Sequence, residues 1–278
     1  MTATEETPAS ENFLRAYHDR TPGSMASSAL ATRMSDGRTS YQFLADHVTG
    51  AQHVLDLGCA DGTLLAVLAG NGADGLAGID LSEGELALAR KRPELRDADL
   101  RLGRAQRLPF ADDSFDAVVS HMALMLMSDV ERVIAETARV LKPGGRFAVA
   151  VGAGPAPGSG FDLFLSLARP IFAAVPPERR VPRMGDRRTR NRAGLDELLA
   201  PAGFDAVSWQ EITLELTGTP EQVWESAVPS YYDMATLDSE NTNRLRQEFL
   251  AQASALFPSG RLDGGARVAV AATRLGAR

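Results

Sequence analysis

From residue 53 to residue 151 the chain alternates short apolar runs with segments of helical period: HVLDL, TLLAVLAG, LAGID, EGELALARKR, DLRLG, FDAVVS, DVERVIAETARVL and RFAVAV. This alternation restricts the fold more than any other feature. Strands separated by helices of about 8–13 residues imply right-handed crossovers and a mostly parallel sheet with helices on both faces. The run Ala117-Val118-Val119 has no polar face, as expected where both sides of a sheet are covered. Pro93 and the Pro143-Gly144-Gly145 turn are expected to stop two of the helices.

Outside this stretch the pattern is less regular. Residues 1–10 read as disordered. Residues 11–20 place Phe13, Leu14 and Tyr17 on one helical face, and residues 40–48 form a second short helix. After residue 152, GAGPAPGSG reads as loop, and FDLFLSLARPIFAAV as an apolar helix bent or broken at Pro170. An arginine-rich stretch covers 178–192. GLDELLAPAGF is a short helix, AVSWQEITLEL a strand with one wetter face, and 220–257 is helical. GGARVAVAATRL reads as a final strand behind a glycine turn, so the sheet should close on a hairpin-like pair. The expected organisation is a single domain over 1–278. It has an N-terminal helical lid (1–50), a ligand-binding half (51–152) and a substrate half (153–278) with helical insertions around 155–193 and 220–257.

The chemistry concentrates where strands end. In VLDLGCADGT an apolar run closes on Asp56 and turns through Gly58 and Gly62. Glycine permits a turn without a Cβ and a close approach to a ligand. The helix beginning near Thr63 presents free N–H groups to a carboxylate or phosphate. Asp56 can accept a hydrogen bond from a cationic part of that ligand. Asp80 closes the next strand, where a carboxylate can accept both hydroxyls of a ribose.

VLDLGCADGT, GIDLS, AQRLPFADDSFDAVVS and LKPGGRF, in this order over residues 54–147, resemble the class I S-adenosylmethionine-dependent methyltransferases, in their small-molecule branch. The Gly-x-Ala-x-Gly spacing differs from the G-x-G-x-x-G of nicotinamide-binding folds, which disfavours an oxidoreductase. The resemblance implies a Rossmann-like, doubly wound, mostly parallel seven-stranded sheet whose last strand is antiparallel. It implies S-adenosyl-L-methionine as cofactor and S-adenosyl-L-homocysteine as product. The acceptor would be a small molecule with an N, O or C nucleophile, in secondary metabolism. Residue by residue, Asp56 would help place the amino end of the cofactor, and Gly58, Cys59, Ala60 and Gly62 would line its methionine part. Asp80 would hold the ribose hydroxyls and Leu81 would pack on the adenine. Ala105 would offer its N–H to the ring, with Gln106 beside it, and Ser120 would lie under the methionine. Two positions depart from the family pattern. Ala60 replaces a common glycine, and Arg104 stands where many relatives carry an Asp for the adenine amino group. A methyltransferase-fold protein that binds the cofactor without transferring methyl, as a pericyclase-type catalyst or a structural partner, is the alternative reading.

Four histidines are present. His121, at the end of the fourth strand, is the candidate general base. Tyr17 and His18, on a lid helix, are further catalytic candidates. Met125, Tyr231 and Tyr232 are expected to line the acceptor pocket. Histidine and cysteine are absent after position 121, which argues against a zinc site there. The net charge of −7 argues against tracking nucleic acid. One cysteine, no membrane-length apolar run and no signal-like N-terminus point to a cytoplasmic protein without membrane partners. The expected state is a monomer or homodimer.

Overall fold

The computed structural model describes residues 7–228 and 231–277. Of the disorder expected over residues 1–10, the part up to residue 6 lies outside the described residues, and from Ala9 the chain is helical. Nine strands are described: β1 (His53–Leu57), β2 (Gly75–Asp80), β3 (Asp99–Leu102), β4 (Phe115–His121), β5 (Leu141–Pro155), β6 (Ser208–Leu214), β7 (Thr217–Gly218), β8 (Leu262–Asp263) and β9 (Ala266–Arg274). Seven form one sheet in the order β3-β2-β1-β4-β5-β9-β6, and β7 and β8 make a small separate ribbon. β1 to β5 run parallel, and β9 is antiparallel to both β5 and β6. The chain leaves β1 toward β2 on one side and returns as β4 on the other. That reversal opens a crevice at the carboxyl ends of these strands.

Helices α1 (Ala9–Arg20), α2 (Ser24–Leu30) and α3 (Ser40–Asp46) precede the sheet. α4 (Thr63–Gly70), α5 (Glu83–Ala89) and α6 (Val130–Val140) are its crossovers. α7 (Gly160–Ala174), α8 (Arg192–Leu199), α9 (Pro220–Ala227) and α10 (Ser239–Leu256) follow. Successive residues of β4 feed opposite cores. Val118 packs with Leu55, Phe147 and Ile134, and Val119 with Val54, Leu44 and Leu65. This accounts for the uninterrupted apolar run read from the sequence. A third core is separate: Phe164 of α7, Trp224 of α9 and Leu245 and Phe249 of α10 are buried against one another.

Two expectations are corrected here. The helix expected to be bent or broken at Pro170 is not broken there; it runs through from Gly160 to Ala174. Pro170 cannot donate to the carbonyl of Ser166, but both residues are exposed, so water can satisfy that carbonyl. The segment read as loop after residue 152 begins as strand. β5 continues to Pro155 against β9, with an irregularity between Gly152 and Gly154.

Candidate functional site

The turn after β1 is built by main-chain geometry. Gly58 has φ +74° and Gly62 φ +77°. A Cβ on Gly58 would lie 2.4 Å from Ala123 Cβ, and one on Gly62 2.5 Å from Leu95 Cδ1. Gly58 N and Cys59 N donate to Ile79 O at 2.9 and 3.1 Å, which ties the turn to the end of β2. Ala60, where the family pattern has glycine, adopts φ +45°. A left-handed alanine costs about 1 kcal/mol. Its N–H donates to Asp80 Oδ2 at 2.9 Å, and Ser82 N donates to Asp80 Oδ1 at 2.8 Å. Asp80 thus bridges the two strand-end loops, and each oxygen keeps lone pairs for a ligand. Burial raises its pKa, against these two N–H donors, which lower it.

Asp80 stands on the wall of a cavity of about 680 Å³ that also reaches Gly58, Leu81, Ala105, Gln106 and His121. Not every expected cofactor residue reaches that wall. Gly62 serves the fold by starting α4 and letting Leu95 pack close. The Cys59 thiol is buried in the core against β2 and α4, and burial pushes its pKa well up. Ser120 is fully buried; its hydroxyl donates to Leu57 O and accepts from Leu124 N, pinning β1 to the turn after β4. Asp56 is buried behind the wall, and its Oδ1 has no hydrogen-bond partner among the described residues. Burial, then the nearby Asp80 and Asp61, push its pKa well above the usual carboxylate range.

The lid helix α1 closes one side of the cavity. Buried Glu11 accepts from Arg104 Nε (2.6 Å) and Nη2 (2.9 Å), from Gln106 Nε2 (3.1 Å) and from the Ser128 hydroxyl. A carboxylate from α1 thus neutralises the Arg104 side chain that follows β3. Asp19 accepts from Ser82 Oγ at 2.6 Å and Gly84 N at 3.0 Å, which lowers its pKa. Glu85, buried at the start of α5, pairs with His18 Nδ1 and accepts from Gly23 N, each at 2.9 Å. His18 Nε2 lies 3.0 Å from the Tyr232 hydroxyl. The ring is thus held between a carboxylate and a phenol hydroxyl.

These contacts revise the catalytic candidates. His18 reaches the cavity wall, but Glu85 and Tyr232 occupy both ring nitrogens. Tyr17 is not on the wall; it packs edge-on against Tyr232, with ring centroids 4.9 Å apart. His121 stacks on Tyr41 at 4.0 Å, and its Nε2 meets Ser40 Oγ at 2.9 Å. Burial holds its pKa down to about 3, so it is neutral near pH 7 and a poor proton acceptor. Met125, Tyr231 and Tyr232 all line the cavity as expected from the sequence. Tyr231 also leans on Phe161 and Phe164, and burial pushes its pKa up to about 12. The sequence reading missed Glu11, Asp19, Glu85, Ser40 and Tyr41. The available signal was Glu11 and Asp19 eight residues apart on one helix, hence on one face. Among the described residues, no group of three or more His, Cys, Asp or Glu side chains is placed to hold a metal ion.

Comparison with known proteins adds a family. A family model described as a methyltransferase domain matches residues 55–149. The demethylmenaquinone methyltransferase of Symbiobacterium thermophilum is 40% identical over 113 residues, covering 38% of this chain and 45% of that protein. That of Beutenbergia cavernae is 34% identical over 170 residues, covering 58% of this chain and 69% of that protein. Over the first relatives matched, the aligned stretch spans roughly half of their length or less. Among solved structures, the [4+2]-cyclase SpnF superposes with a TM-score of 0.59 at 20% identity, covering 98% of both chains, which shows a shared fold.

Proposed function

The chain belongs to the class I S-adenosylmethionine-dependent methyltransferases, and from that premise we propose that it methylates a small, largely apolar acceptor. One observation carries this reading: the same cavity runs from Asp80 and the Gly58 turn to the apolar side chains of Met125, Phe161 and Tyr231. A cavity of about 680 Å³ falls within the range of small-molecule sites.

The residues fit the cofactor. Gly58 stands on the cavity wall, and Ala123 packs so close to it that a Cβ there would force the turn to shift. Asp80 offers lone pairs at the end of β2, and Asp56, buried behind the β1 turn, would in its ionised form add negative potential toward a cationic amine there. When bound, the cofactor supplies an electrophilic methyl on a sulfonium sulfur. The chain supplies binding, alignment and a water-poor wall. Leu81 and Ala105 would border the adenine, with Gln106 held in place by Glu11 and Ser128. Neutral His121 would orient an acceptor hydroxyl or amine as a hydrogen-bond partner. An acidic acceptor atom then needs little help in losing its proton.

This proposal includes a place in secondary metabolism, a cytoplasmic setting, a monomer or homodimer, and neither nucleic acid nor membrane as partner. The net charge of −7 supports the exclusion of nucleic acid. No helix among the described residues is long and apolar enough to cross a membrane. A second reading is cofactor binding without methyl transfer. It is favoured by a fold shared with the [4+2]-cyclase SpnF. The deciding experiment is calorimetric titration with S-adenosylmethionine, S-adenosylhomocysteine and NADH, followed by assay of S-adenosylhomocysteine release over an acceptor panel. Binding of the first two, with Asp80→Ala weakening it at least about tenfold, is expected. NADH binding, or unchanged affinity in Asp80→Ala, would overturn the cofactor assignment. Binding with no turnover across the panel would favour the second reading.

A further inference from the structure

The arginine-rich stretch 178–192 is not one solvated surface. Arg188 is saturated: its guanidinium meets the carboxylates of Asp186, Glu131 and Glu197. Arg180 donates to the carbonyls of Val175 and Ala173, and Arg179 to that of Thr236. Arg192 faces Asp196 along α8. Arg190 differs. It stands on the cavity wall, and its Nη1 points at the thioether sulfur of Met125 at 3.3 Å. No carboxylate among the described residues pairs with it. A guanidinium carries five donors, and a thioether is a weak acceptor. The same sulfur already accepts from Gly152 N at 3.2 Å.

The position of Arg190 is held from several sides. It ends a short 3-10 turn, Arg187–Arg190, whose buried Thr189 donates from its hydroxyl to Asp186 O at 2.6 Å. The next residue, Asn191, caps α8 by accepting from Gly194 N at 2.9 Å. Gly185, just before, presses on the main chain of Met125 so closely that a Cβ would overlap its carbonyl oxygen. The main chain that carries Arg190 is thus set in place, which limits the entropy lost on binding to that of the side chain. Burial without a counter-ion holds its pKa below the usual guanidinium value.

The wall it shares includes the apolar side chains of Met122, Met125, Leu126, Val181, Pro182 and Met184. Arg267, another cavity-wall guanidinium, is already engaged by Glu211 and by the carbonyls of Pro155 and Ala153. Arg15 of α1 also lines the cavity; Arg190 is the guanidinium set against Met125, and a planar, bidentate donor of this kind suits one planar negative charge. A phosphate, with its second charge, calls for more than one cation.

We propose that Arg190 is the anchor for a carboxylate carried by an apolar acceptor, so that the substrate class is an apolar carboxylic acid. The inference rests on the methyltransferase reading of the same cavity. The acid's carboxylate replaces the Met125 sulfur as the acceptor of the guanidinium N–H groups, and its apolar body lies along the methionines.

The test uses the full chain saturated with S-adenosylhomocysteine, whose own binding is measured first. Two probe pairs, hydroxynaphthoate and dodecanoate with their respective methyl esters, are titrated by calorimetry. At least one acid is expected to bind about tenfold or more tighter than its ester. Arg190→Gln should remove that preference and Arg190→Lys should keep part of it, with S-adenosylhomocysteine affinity and melting temperature unchanged in both. Equal binding of acid and ester, no binding of either acid, or a preference that survives Arg190→Gln would overturn the proposal. Failure of wild-type protein to bind S-adenosylhomocysteine would instead overturn the cofactor reading.

Discussion

The two walls of the cavity are made of different materials. On the cofactor side the wall is largely main chain: the Gly58 and Ala60 turn, and an Asp80 carboxylate held by two backbone N–H groups. On the cap side it is side chain: Phe161, Tyr231, Met125 and Met184, backed by the aromatic core of Phe164, Trp224 and Phe249. The first wall is specified by a few local conformations and says nothing about the acceptor. The second is specified by packing among distant segments and carries whatever selectivity the protein has. The family match at residues 55–149 falls on the first and omits most of the second.

The comparison can be broken most forcefully from the cap. Phe249→Ala opens a cavity in the separate third core and should cost about 3–5 kcal/mol in denaturant melts. If the walls are independent, S-adenosylhomocysteine affinity measured below the melting transition should stay within about twofold. Gly58→Ala attacks the other wall. A Cβ at φ +74° against Ala123 should cost about 2–3 kcal/mol and at least about tenfold in S-adenosylhomocysteine affinity by calorimetry.

A smaller effect separates stability from binding within the cofactor wall. Burial raises the pKa of Asp56 above its unfolded value, so its protonated form is the one folding favours. Its stabilising contribution is complete below the unfolded pKa and is lost as pH rises through the folded one. Asp56→Asn should therefore raise stability relative to wild type by about 1 kcal/mol near pH 8 and by less near pH 4, while weakening cofactor binding. Urea melts at both pH values check the sign. The smallest change is Tyr231→Phe, expected within about 0.5 kcal/mol of wild-type stability and without effect on S-adenosylhomocysteine. Its consequence should be confined to acceptor affinity in the turnover assay.

The same division explains what could be read from the sequence. Asp80 and Gly58 were legible because a strand end, a turn and a helix start are local events with local residue preferences. Arg104 read only as a departure from the family pattern because its partner, Glu11, lies 93 residues earlier. A helical period gives a helix's apolar face but not what its buried acid meets. His121 was placed correctly at the end of β4, yet its chemistry is set by Ser40 and Tyr41 of α3, about 80 residues away. Cys59 and Ser120 sit in the expected motifs but face the interior, since adjacent residues near a strand end point to opposite sides.

Helix α1 carries a consequence in time. Glu11, Asp19 and His18 fasten it to three places on the floor beneath: Arg104, the Ser82–Gly84 turn and Glu85. A ligand bound between helix and floor would meet these ties on its way out. A mutation that loosens the helix, such as Asp19→Ala, is therefore expected to speed S-adenosylhomocysteine release in a stopped-flow chase.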